Sequence, residues 1–207
     1  MLQFEMDCNE GKGNVVACHQ VGEFLSVVKN EKDKAAAFFD RNCAAGYAPS
    51  CFNYGRAQLT GKGALQSDSE ALKSFERACE GDHRPACYHL GYMLLYGAEG
   101  VDRDSEKAFD SLQKSCDGGL SDGCYLKATQ LLRKDGKGPV PRDPIQAREL
   151  LEKSCDFHHG PSCFNLAVMY KHGDIGVPRD EDKFDVYKKR TEELVDQMGG
   201  LSGTKAA

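Results

Sequence analysis

The ten cysteines of this 207-residue chain fall in couples: Cys8 and Cys18, Cys43 and Cys51, Cys79 and Cys87, Cys116 and Cys124, Cys155 and Cys163. Four couples are separated by eight residues and the first by ten. Along an uninterrupted α-helix, residues eight apart stand ~12 Å from one another, beyond the roughly 7 Å between Cα atoms that a disulfide tolerates. A bonded couple must therefore span a chain reversal. Gly46, Gly81, Gly118 with Gly119, and Gly160 lie between the partners, where one helix would end and the next begin. Each couple reads as a disulfide staple across a turn, contributing about 2 to 3 kcal/mol by loop-closure entropy. Zinc and buried free thiols are the alternatives. Zinc sites favour cysteines two to four residues apart, and free thiols need no pairing at a fixed spacing.

Aligned on the second cysteine of each couple, the chain repeats with offsets of 33, 36, 37 and 39 residues, the period of helix-pair arrays. Four residues after that cysteine stand Gly22, Gly55, Gly91, Ala128 and Ala167, a small-residue column that predicts close helix approach. One residue after it come His19, Phe52, Tyr88, Tyr125 and Phe164, expected to fill the core between stacked pairs. The second helix of a unit carries Ala35, Ala71, Ala108 or Ala147, followed a turn later by Phe39, Phe75, Leu112 or Leu151. Gly61-Lys62-Gly63, Gly97 with Gly100, Gly136-Lys137-Gly138 and Gly173 with Gly176 supply reversals, and Ser67, Asp104, Asp143 and Asp180 sit where an N-cap is wanted. The resulting organisation is an N-terminal segment 1–12 carrying Cys8, repeats at 13–48, 49–84, 85–121, 122–160 and 161–197, and a mobile tail at 198–207. Repeat five reads as a cap, because Glu192 stands where a further staple would start and Phe184 replaces the small alanine.

Composition narrows function. A net charge of -5 spread along the chain offers no basic stripe for nucleic acid. No apolar run approaches the roughly 18 residues of a spanning helix, so no membrane insertion is expected. The opening Met-Leu-Gln-Phe-Glu-Met-Asp-Cys reads as neither a secretory signal nor an Arg-rich transit peptide.

The strings ACYHLGYMLLYGAEGVDRDSEKAF (Ala86 to Phe109) and SCFNLAVMYKHGDIGVPRDEDKF (Ser162 to Phe184) resemble the Sel1-like repeat, with its Leu-Gly, Tyr, Gly-x-Gly-Val and Asp landmarks. The eight-residue cysteine spacing is similar to that of the cysteine-rich branch of the family. The resemblance implies an all-α fold, an α-solenoid wound as a right-handed superhelix of five disulfide-stapled helix pairs. It implies protein clients on the concave face. Within the branch, one group comprises bacterial proteins described as penicillin-binding or weakly β-lactamase-like, secreted or periplasmic. Another is mitochondrial, lies in the oxidising intermembrane space and supports assembly of cytochrome c oxidase. The opening unit, which lacks the Gly-x-Gly turn, looks like the mitochondrial group. That likeness makes respiratory-complex assembly components the expected partners.

Chemistry-bearing motifs are thin. Ser111-Leu-Gln-Lys114 matches the serine-to-lysine spacing of penicillin-binding enzymes, yet the companion Ser-Asp-Asn and Lys-Thr-Gly elements are missing. The Gly-Lys-Gly strings lack the order of a phosphate loop. His19, His83, His89, His158, His159 and His172 share no column and no haem-attachment motif accompanies them. Haem or copper therefore enters through the family resemblance alone, and no catalytic, cofactor or metal site is expected. Thiol exchange would have to use a staple, with the terminal Cys8–Cys18 the most reducible.

Overall fold

The computed structural model describes Cys8, residues 14–134 and residues 138–197. The rest of the N-terminal segment, the 198–207 tail and residues 136 and 137 of the second Gly-Lys-Gly turn lie outside the described residues. Within them the chain forms ten α-helices in five consecutive pairs: α1 (Val15–Val27) with α2 (Lys32–Ala44), α3 (Ala48–Thr60) with α4 (Asp68–Glu80), α5 (Arg84–Tyr96) with α6 (Ser105–Asp117), α7 (Ser121–Leu131) with α8 (Pro144–Asp156), and α9 (Gly160–His172) with α10 (Glu181–Gln197). The fold is all-α, with no strand among the described residues beyond two isolated bridges, Ala98–Val101 and Asp174–Val177. Two compact units divide the chain, Met1–Lys114 and Ser115–Ala207.

The second helices start where side-chain caps allow. Ser67 accepts from the amide of Glu70, and Asp143 accepts from Ile145 and Gln146. Asp104 and Asp180 accept from Lys107 and Lys183. Each cap satisfies amides that a helix N-terminus leaves unpaired, for about 1 kcal/mol. The turns before Asp104 and Asp180 are built from glycines three apart. Gly97 and Gly100, and likewise Gly173 and Gly176, have φ between 70° and 75°, which lets the intervening residues form the bridge. That reversal points Val101 and Val177 inward, where both are buried.

The core follows the alanine, leucine and glycine columns. Ala71, Ala108, Ala147, Phe75, Leu112 and Leu151 expose none of their surface. A Cβ added at Gly22 would stand 2.6 Å from Phe39, at Gly55 2.8 Å from Phe75 and at Gly91 2.7 Å from Leu112. The small-residue column is thus where the second helix presses its large side chain onto the first. In α10 the pressure is gone: Leu194 alone is buried, and the half-buried Phe184 ring lies under the Lys171 ammonium at 5.5 Å.

One expectation needs correction. The aromatic column is not core. His19 is buried, but Phe52, Tyr88 and Tyr125 are half-buried and Phe164 is 56 % exposed. The position following the cysteine lies at the edge of the buried stripe, so its ring covers the rim of the next turn. The glycines inside the staples do stand where one helix ends and the next begins, while the left-handed conformation falls at a fixed position that glycine does not always occupy. The left-handed residue stands five before the second cysteine, and it is Gly46 or Gly119 in two turns but Asp82 (φ 58°) and His158 (φ 62°) in the others. Gly81 has φ -86° and caps α4, and Gly160 opens α9. Asp, Asn and His enter the left-handed region more readily than most residues, so glycine is not required there.

Candidate functional site: stapled hinges and the outward face of the first helices

The structure joins the ten cysteines as Cys8–Cys18, Cys43–Cys51, Cys79–Cys87, Cys116–Cys124 and Cys155–Cys163, with Cα–Cα separations of 4.4 to 4.9 Å. From Cys43 on, each bond links the last turn of a second helix to the first turn of the next first helix, so the hinge between successive pairs is locked. No described cysteine is free, and no three of the described His, Cys, Asp and Glu residues are grouped to hold a metal ion. The Cys8–Cys18 staple has a charged neighbour. The Arg41 guanidinium stands 3.3 Å from the Cys8 sulfur and 3.8 Å from that of Cys18, over the Phe38 ring. A cation there favours a thiolate leaving group, while burial of both sulfurs opposes attack.

Buried hydroxyls flank the hinges at a position the sequence reading passed over, one residue before a cysteine. Ser162 Oγ donates to Ser154 Oγ at 2.8 Å, and Ser154 Oγ is also 3.0 Å from the Ser121 carbonyl. With its proton used, Ser162 accepts from His159 Nδ1 at 2.8 Å, which fixes that imidazole in the Nδ1–H tautomer. His19 Nδ1 pairs with Ser50 Oγ at 2.9 Å.

Two of the six histidines share a column. His83 and His159 both stand four before the second cysteine, at the N-cap of a first helix, where Tyr47 stands in the second unit. Each meets the ring one residue after the preceding unit's second cysteine: His19 with Tyr47 at 5.3 Å, Phe52 with His83 at 4.5 Å, Tyr125 with His159 at 4.8 Å. His89 stacks on Phe75 at 5.1 Å. Burial holds His19, His83, His89 and His159 below the ordinary imidazole range, with Glu23 opposing the shift at His19 and Asp122 at His159. Packed against uncharged rings, with His19 buried and His83, His89 and His159 half-buried, these imidazoles act as packing. Ser111 is occupied too: its hydroxyl donates to the Lys107 carbonyl at 2.7 Å in the helix interior, and Lys114 is exposed.

Within the two compact units, four of the first helices expose the positions five and nine residues after the second cysteine. Their chemistry changes from helix to helix: Glu23 and Val27 on α1, Arg56 and Thr60 on α3, Tyr92 and Tyr96 on α5, Val168 and His172 on α9. Tyr92 is 48 % exposed and packs its ring against Tyr96 at 4.8 Å. Between α1, α2 and α3 the surface opens into a cavity of about 280 Å³ whose charged lining is Glu23, Lys32, Arg56 and Lys62. Sequence reading missed it, because Glu23, Lys32, Arg56 and Lys62 belong to three helices and a turn that only the fold brings together.

Comparison with known proteins gives this arrangement a place. The Sel1 repeat model matches residues 48–83, 84–120, 123–156 and 160–183, which leaves the first helix pair outside the matched segments. Cytochrome c oxidase assembly factor 7 of Xenopus tropicalis is 30 % identical over 183 residues, covering 86 % of this chain and 78 % of its own. The proteins of the same name from Mus musculus and Homo sapiens are each 33 % identical over 184 residues, with the same coverage. In fold, the chain is similar to a Sel1 repeat protein from Oxalobacter formigenes, at 19 % identity and a TM-score of 0.76 over 92 % of this chain and 79 % of that one. A protective antigen of uropathogenic Escherichia coli with an SLR fold matches at 19 % identity and a TM-score of 0.67, over 95 % of this chain and 50 % of its own.

Proposed function

The chain belongs to the Sel1 repeat family, and from that premise we propose that it is a non-enzymatic adaptor supporting assembly of cytochrome c oxidase in the mitochondrial intermembrane space. The observation that carries the reading is the similarity to proteins named cytochrome c oxidase assembly factor 7 across 86 % of the chain. Two physical features support it. Five disulfides favour an oxidising compartment, and the intermembrane space is one that fits a role beside cytochrome c oxidase. Within each of the two compact units the stapled hinges limit how successive helix pairs can move, so the exposed positions of their first helices lose little entropy on binding a client. The ten cysteines then serve architecture rather than turnover, and no cofactor takes part.

Deleting the gene and measuring assembled cytochrome c oxidase, together with submitochondrial fractionation of the protein, tests the proposal. Reduced oxidase restored by the reintroduced chain, and protein in the intermembrane-space fraction, are the expected results. Normal oxidase with the protein outside mitochondria would overturn it.

A further inference from the structure

We propose that the cavity between α1, α2 and α3 binds the free C-terminus of a client chain that ends in an apolar residue. This rests on the adaptor reading and specifies its recognition chemistry.

Charge is the first ground. Lys32, Arg56 and Lys62 face a single carboxylate, Glu23, so the cavity carries two net positive charges in a chain whose total is -5. Glu23 is engaged by His19 Nε2 at 3.4 Å, and Lys32 Nζ is oriented by the Ser26 backbone carbonyl and hydroxyl. None of the three cations has an ion-pair partner among the described residues. Charge-assisted hydrogen bonds to an incoming carboxylate are the interaction this leaves open.

Preorganisation is the second. Arg56 lies over the Phe52 ring at 5.8 Å, which restrains the guanidinium. Lys62 is carried by a turn in which Gly61 and Gly63 are both left-handed. A Cβ at Gly63 would stand 2.3 Å from the Lys32 carbonyl oxygen, so glycine alone lets the turn close against the start of α2. The Gly61-Lys62-Gly63 string, a reversal by its sequence, thereby holds the backbone of Lys62 where its side chain lines the cavity.

The floor and the volume select among anions. Ala35, Ala36 and Phe39 are buried side chains that line the cavity, and Ala57 adds a further apolar wall. About 280 Å³ accommodates a residue or two and no helix. An aspartate or glutamate within a chain would bring the charge but leave the apolar floor uncovered. A terminal residue places a carboxylate and an apolar side chain on the same Cα, matching cations and floor together, with the Asn53 side chain available to the last peptide group.

Fluorescence anisotropy with the full, oxidised chain tests this. Three fluorescein-labelled glycine-serine peptides serve as probes: one ending in leucine with a free carboxylate, the same peptide as its amide, and an amidated peptide with an internal glutamate. The free acid should bind at least about tenfold more tightly than either of the others, with an affinity that falls as salt rises. Replacing Arg56 and Lys62 together (Arg56→Gln, Lys62→Gln) should abolish the difference. Both side chains are exposed, so circular dichroism should be unchanged. Equal binding of acid and amide, tight binding of the internal-glutamate peptide, or insensitivity to the double substitution would each overturn the site. Any of these would leave the adaptor reading standing, since that is judged on oxidase assembly.

Discussion

Replacing Gly55 with alanine puts two opposed effects of known size at one position. In the interior of α3, alanine is favoured over glycine by about 1 kcal/mol of helix propensity. Against this, the new Cβ would lie 2.8 Å from Phe75 Cε1, 3.0 Å from Cδ1 and 3.2 Å from Ser74 Cβ. The ring has nowhere to retreat: Phe75 exposes no surface, stacks on His89 at 5.1 Å and meets Phe52 at 5.9 Å. Overpacking of this kind costs about 1 to 3 kcal/mol, and a ring hemmed on both faces belongs to the upper part of that range. The net expectation for Gly55→Ala is a loss of about 1 to 2 kcal/mol. Phe75→Leu alone should cost about 1 kcal/mol by opening a void. Combined, the methyl fills part of the space the ring vacates, so the double substitution should be more stable than the sum of the two by about 1 kcal/mol or more. The chain itself supports this, because Ala128 stands in the column of Gly55 where Leu151 stands in the column of Phe75, and both are fully buried. Urea unfolding of the oxidised proteins reads all three values. Wild-type stability for Gly55→Ala, or strict additivity in the pair, would refute close packing as the reason for the glycine.

Two further outcomes follow from the hinges and the imidazoles. Removing one staple, Cys79→Ser with Cys87→Ser, frees a loop of eight residues and should lower stability by about 2 to 3 kcal/mol in the chain-entropy model; a loss below about 0.5 kcal/mol in urea would assign the stability to packing. Acidification should also destabilise the protein. His19, His83 and His89 titrate below their unfolded value near about 6.5, so between the two values the unfolded chain binds more protons. Stability is complete above about pH 6.5 and declines as pH falls towards the lowered folded values. Thermal melts at about pH 7.5 and about pH 5 should differ less in His83→Leu than in the wild type, and an unchanged difference would absolve this ring.

Much of the fold was legible because its determinants are local. Ser67, Asp104, Asp143 and Asp180 cap helices through amides two or three residues away, and the alanine and leucine columns recur because every helix pair meets the same packing problem. Reading failed where a position depends on what lies across the hinge. Gly81 and Gly160 mark the helix ends as expected, but the left-handed conformation falls on Asp82 and His158, residues whose preference for it is weak and visible only once the helix ends are fixed. The rings following the second cysteine looked like core by hydrophobicity alone. Phe52 and Tyr125 meet the N-cap residues of the following unit, more than 30 positions further on, and are only half covered there. The cavity was hidden for a related reason. Glu23, Lys32, Arg56 and Lys62 sit on different segments, and only the meeting of α1, α2 and α3 puts their charges in one place.

Each sulfur bond closes a ring of its own, and none of the five rings encloses another. Ten thiols could in principle join in roughly 900 ways, extending the count for eight, yet the native set asks every cysteine to find its nearest couple mate along the chain. Oxidation can accordingly proceed unit by unit, ahead of any long-range docking and without reshuffling. Unfolded but oxidised, the polypeptide would still be a nearly linear thread with five small eyelets, extensible over most of its contour.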